Sequence, residues 1–102
     1  MPLRELVEEA FLGWLDARGG RSALRRAAVD LVVRAASWEF FAPIRPEPAT
    51  IAVHTERVGT TSITLAFTVR CAADVVAAAT VTYVCVRGGR TVPLPAHLGV
   101  PV

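Results

Sequence analysis

The chain has 102 residues and a formal net charge of +2, so it is sized for one small domain and lacks the strongly basic surface that nucleic-acid binding needs. Hydrophobic residues make up 53% of it, a surplus for a monomer of this size, and a subunit interface is the expected outlet. Every basic side chain is Arg, scattered from Arg4 to Arg90; the nearest thing to a cluster, Arg21, Arg25 and Arg26, reads as a solvated loop edge.

Residues 3–17 are predicted to form an amphipathic helix. Leu3, Leu6, Val7, Ala10, Phe11 and Trp14 recur at helical spacing, with Arg4, Glu5, Glu8, Glu9 and Asp16 opposite them. Gly19-Gly20 reads as its stop, and 19–26 as a loop. A β-branched and aromatic run from Ala28 to Phe41 reads as a strand, closed by Pro43 and the Arg45-Pro46-Glu47-Pro48 turn. Thr50 to Val58 alternates through Ile51, Val53 and Thr55, then breaks at Gly59. Ile63, Leu65, Phe67 and Val69 form a period-2 stripe opposite Ser62, Thr64, Ala66 and Thr68. After a short turn at 72–74, Val75 to Arg87 is apolar on both faces and reads as a central strand covered on both sides. Gly88-Gly89 turns the chain, and Pro93 and Pro95 lead to a last short turn at 96–98. One helix against four antiparallel strands predicts an α+β layout, a single domain over 1–102 with the helix on the concave face of a curved sheet.

Several function classes lose support at this point. Cys71 and Cys85 fit neither a disulfide framework nor a metal signature and are expected in the core or at an edge. His54 and His97 have no Ser–His–Asp spacing or Gly-x-Ser-x-Gly elbow beside them, and no metal or cofactor is implied. Charges at Arg4, Glu5, Glu8 and Glu9 break any secretory pattern, and the longest apolar stretch, 75–82, is too short to span a bilayer. The expectation is a cytoplasmic protein with no membrane partner.

Three segments, in order, carry a family resemblance: Trp38-Glu39-Phe40-Phe41-Ala42-Pro43-Ile44-Arg45-Pro46-Glu47-Pro48, then Glu56-Arg57-Val58-Gly59-Thr60-Thr61-Ser62, then Val84 to Pro95 with its Gly89-Arg90-Thr91-Val92-Pro93-Leu94-Pro95 ending. They resemble the 4-hydroxybenzoyl-CoA thioesterase branch of the hotdog superfamily. Val7-Glu8-Glu9-Ala10 also resembles that family's (aromatic)-Glu-Glu-Ala-Arg helix, with Phe11 standing where Arg is usual. The resemblance implies the hotdog fold and an acyl-CoA or acyl-carrier thioester hydrolase. It further implies a homodimer or homotetramer, with sites at the subunit interface. In that branch the catalytic Asp, a Gly-His-Val-like stretch and an Asn precede the helix; here the helix begins at once after Met1-Pro2, and the first strand has no counterpart. The alternative is therefore a non-catalytic hotdog that binds acyl thioesters or lipids.

Thioester hydrolysis needs a carboxylate to attack the carbonyl or activate water, and donors for the oxyanion. Glu5, Glu8 and Glu9 are the carboxylates nearest the expected groove; Glu8 matches the family's helix Glu and is the first candidate, with Glu5 and Glu9 as alternatives. Their other reading is a solvated helix face, and a catalytic one would sit in a partly dry pocket. Gly59, Thr60, Thr61 and Ser62 are candidates to hold substrate through backbone N–H groups and hydroxyls, or are simply a hairpin corner. Arg45, Arg57, Arg87 and Arg90, near strand ends, are candidates for the phosphates of a coenzyme A thioester, the expected substrate. Trp14, Trp38, Phe40 and Phe41 read as packing residues, any one of which could line an acyl pocket.

Overall fold

The strict alternation at 62–71 decides which side of the sheet is inside. In the computed structural model, which describes residues 3–43 and 48–99, that segment is a strand whose odd-numbered residues Ile63, Leu65, Phe67, Val69 and Cys71 are all fully buried. In chain order the elements are α1 (Leu3–Asp16), α2 (Gly20–Ala27), β1 (Asp30–Phe40), β2 (Ala49–Val58), β3 (Ser62–Cys71), β4 (Asp74–Arg87), β5 (Arg90–Thr91) and a 3₁₀ turn at Ala96–Gly99. The strands form one antiparallel sheet in the order β1-β4-β3-β2, with β5 pairing the end of β4. The α+β layout is thus the one expected. Ile44 to Glu47, and with them Arg45, lie outside the described residues.

α1 buries Val7, Trp14 and Leu15 against the inner faces of β3 and β4. Leu6, expected in that stripe, is only half-buried, and Leu15 takes the deeper position. Beyond Pro95, Leu98 is 1% exposed and joins the same core. The tail is held on the way by Val92 N–H to the Cys85 carbonyl and Leu94 N–H to the Thr60 carbonyl, each at 2.9 Å.

Two expectations need correction. Residues 20–27 are a second helix, where a loop was expected. Gly19 and Gly20 do break α1, with φ of 95° and 66°, but the left-handed pair turns the chain rather than releasing it. Gly20, Ala23 and Leu24 then face inward, while the arginines read as a loop edge form the outer face of the helix. Its end is closed by Arg87, which donates to the Ala27 carbonyl at 2.7 Å and the Ala28 carbonyl at 3.2 Å. β4 is central, as expected, but among the described residues of one copy only one side of it carries a layer. Its outward residues Ala78, Thr80 and Thr82 are half-buried, and the Thr64 and Thr82 hydroxyls bond each other at 2.9 Å. Small and β-branched side chains shield one another there, which satisfies the same apolar pattern without a second layer.

Among the described residues, β1 and β2 are the edges of the sheet. The β1 edge is the apolar one: Val32 is 45% exposed, Val33 and Phe40 61%, and Phe41 just beyond it 57%. No described helix is long and apolar enough to cross a membrane.

Candidate functional site

α1 makes its main backbone approach to the sheet over β2, and its other flank faces β1 across a furrow. A cavity of about 380 Å³ opens there, lined by Arg4, Val7 and Glu8 of α1, Val33, Ala36 and Trp38 of β1, and Val81 and Tyr83 of β4. A second cavity of about 400 Å³ follows toward α2, lined by Phe11, Leu12 and Leu15, by Arg21, Leu24 and Arg25, and by Val29, Asp30 and Leu31.

The strand side of the furrow depends on a bulge. Leu31 and Val33 face it with odd numbers, Ala36 and Trp38 with even ones, because the β1–β4 register shifts between Val33 and Ala35. One extra residue there switches the alternation, so the β-branched and aromatic run presents one continuous apolar lining. Of the four aromatics weighed for an acyl pocket, Trp38 is the one on this lining; its ring stacks on Phe40 at 5.9 Å. Tyr83 was not singled out in the sequence. Its position would have followed from its cross-strand pairing with Val33 on one side and Ile63 on the other.

Of the three helix glutamates, Glu8 is the one that lines either of these two cavities; Glu5 and Glu9 are exposed and line neither. Glu8 sits at the mouth, its side chain 64% exposed, and meets Arg4 one turn earlier at 3.5 Å. Tyr83, 5% exposed on the floor, has its hydroxyl pKa pushed up to about 12, first by burial and then by the negative charge of Glu8. Its O–H therefore stays protonated, and a donor, throughout the neutral range.

The corner at 59–62 lies elsewhere, and much of its backbone holds structure. Gly59 N–H donates to the Ser62 carbonyl at 2.8 Å, Thr61 accepts from Cys85 N–H at 2.8 Å, and Thr60 accepts from the tail. Arg57 and Arg90 are exposed and line neither cavity, and Arg87 is the clasp on α2. Cys71 and Cys85 are buried, and burial pushes the Cys85 thiol up, against what a nucleophile needs. Among the described residues no three of His, Cys, Asp and Glu gather where they could hold a metal.

Comparison with known proteins agrees with this fold. A family model described as the acyl-CoA thioesterase N-terminal domain matches residues 13–84. Among curated proteins none matches at a significant level. Among solved structures, a hypothetical protein from Aquifex aeolicus superposes with a TM-score of 0.82 at 22% identity, over 91% of this chain and 75% of that one. A gentisyl-coenzyme A thioesterase gives 0.82 at 19% identity, over 96% of this chain and 82% of that one. A 1,4-dihydroxy-2-naphthoyl-CoA thioesterase from Synechocystis gives 0.79 at 20% identity, over 93% and 74%. At these identities the likeness speaks for the fold, which is the hotdog fold.

Proposed function

The chain belongs to the acyl-CoA thioesterase family of hotdog proteins, and from that premise we propose that it hydrolyses acyl thioesters with the acyl group in the cavity beside Glu8. One observation carries this reading. Of the three glutamates on the exposed side of α1, Glu8 is the one that lines the apolar cavity between α1 and β1. A water at the mouth attacks the thioester carbonyl and gives its proton to the Glu8 carboxylate, and the thiolate leaves and takes up a proton, yielding free acid and thiol. Tyr83, protonated on the floor, is a side-chain donor for the carbonyl oxygen, on a lining it shares with Arg4 and Trp38.

Glu8 is too wet in one copy to be an efficient base, and a second copy laid along the β1 edge would dry the mouth. The unpaired edge of β1 and its exposed Val32, Phe40 and Phe41 favour a homodimer, or a homotetramer built from it. Within this reading Arg45, Arg57 and Arg90 are the candidates for the phosphates of coenzyme A, or for an acyl carrier. The corner at Gly59, Thr60, Thr61 and Ser62 is the candidate for the pantetheine arm, and the protein works in the cytoplasm.

The test is thiol release from a panel of aliphatic and aromatic acyl-CoAs by the purified chain, with its two cysteines subtracted as a blank. Turnover is expected, and Glu8→Gln should lower kcat by about a hundredfold or more without changing the melting temperature. Full activity in Glu8→Gln would remove Glu8 from the mechanism. The second reading is acyl-thioester binding without hydrolysis. It is favoured by the pairing of Glu8 with Arg4 and by Glu8 being the one carboxylate on this lining. Saturable acyl-CoA binding with no thiol release would establish it.

A further inference from the structure

We propose that the stacked rings of Phe11 and Tyr83 are the partition that ends the acyl pocket, so that the site takes short acyl groups and admits longer ones once Phe11 is cut back. The proposal rests on the thioester-hydrolase reading and adds the substrate class to it. The two cavities are successive compartments of one furrow. Along α1 the division falls between Glu8 and Phe11, and along β1 between Val33 and Leu31, at the same level on both elements. Phe11 and Tyr83 meet there, ring centroids 4.3 Å apart and planes 14° from parallel. Tyr83 lines the first compartment and Phe11 the second, so the pair forms the wall between them.

The two halves of the wall differ in how firmly they are held. Tyr83 stands in the central strand, hydrogen-bonded into the sheet between Val33 and Ile63, and is 5% exposed. Phe11 projects from the helix, half-buried, touching Trp14 behind it at 6.1 Å. Behind Phe11 the compartment is lined by Leu12, Leu15, Leu24, Val29 and Leu31, an apolar path for further methylenes, with the exposed Arg21, Arg25 and Asp30 beside it. Since the compartments are about 380 and 400 Å³, opening the wall would roughly double the space an acyl chain can fill. Each methylene accepted by such a path is worth about a fourfold gain in affinity.

The experiment is kcat/KM for straight-chain acyl-CoAs from butanoyl to hexadecanoyl with the native chain, Phe11→Leu and Phe11→Ala, alongside calorimetric binding of the matching free carboxylates. The native profile should fall steeply past a short optimum. Phe11→Ala should move that optimum several methylenes longer, with Phe11→Leu between them and the carboxylate affinities shifting in step. An unchanged optimum in a folded Phe11→Ala protein overturns the partition while leaving the hydrolase reading intact. No turnover by any variant, with carboxylate preference still shifting at Phe11, overturns the hydrolase reading and keeps the partition. Absence of both turnover and carboxylate binding overturns both. Should Phe11→Ala not fold, the Phe11→Leu profile decides.

Discussion

Tyr83 is the one tyrosine of the chain, so its titration can be watched without interference. Burial and the nearby Glu8 charge raise its pKa from 10.0 to about 12, so the folded protein holds this proton more tightly than the unfolded chain does. The stability tied to that proton is fully present below pH 10, where both states are protonated, and is lost as pH rises toward 12, because only the unfolded chain ionises in that window. Phenolate absorbance of the native protein should therefore develop well above the free-tyrosine midpoint. Tyr83→Phe should flatten the fall in denaturant midpoint across the same window. A normal midpoint with an unchanged slope would mean the ring is wetter than the cavity floor suggests.

At the scale of elements, α2 closes on a residue poorly suited to its backbone. Ala28 has φ 56° and ψ 41°, the left-handed conformation in which a side chain is penalised and glycine is not. Its N–H still bonds the Arg25 carbonyl at 3.0 Å and Val29 N–H bonds Leu24 at 3.1 Å, so the closing turn is worth that strain. Ala28→Gly should stabilise the protein by about 1 kcal/mol, read as a higher melting temperature. A lower one would show that the Ala28 methyl packs more than it strains. The opposite change at Gly19 should destabilise, since a Cβ there would lie 2.9 Å from that of Ala23 and φ is 95°. The element least visible in the sequence was this helix: a double glycine normally ends a helix, and only the inward placement of Ala23 and Leu24 shows why another begins.

Among the described residues the β1 edge is the more apolar of the two, and the assembly of the whole molecule should follow from it. Sedimentation of the native chain should show a dimer or tetramer. Val32→Glu combined with Phe40→Glu, which places charge on the exposed edge, should yield monomers that keep the native circular dichroism. A native chain that sediments as a monomer would remove the second copy from the proposed site.

Period and punctuation were enough for what depends on neighbours in the chain. The helical spacing of Val7, Phe11 and Trp14 marked the inner face of α1, and the alternation at 63–69 marked that of β3. The breaks at Pro43, Gly59, 72–74 and Gly88 marked the ends of four long strands, while Glu8 came forward as the first carboxylate to test through the family resemblance of 7–10. Tertiary structure decided the rest, because it depends on residues far apart. A bulge near Arg34 turns Val33 and Ala36 to one side, and Phe11 meets Tyr83 across seventy-odd residues to divide the furrow. Which glutamate borders a cavity, and where that cavity ends, are properties of how the helix lies across the sheet. No local period encodes that angle; it is set by the packing of Trp14 and Leu15 on strands that the chain reaches only later, and by Leu98, which joins the same core from beyond them.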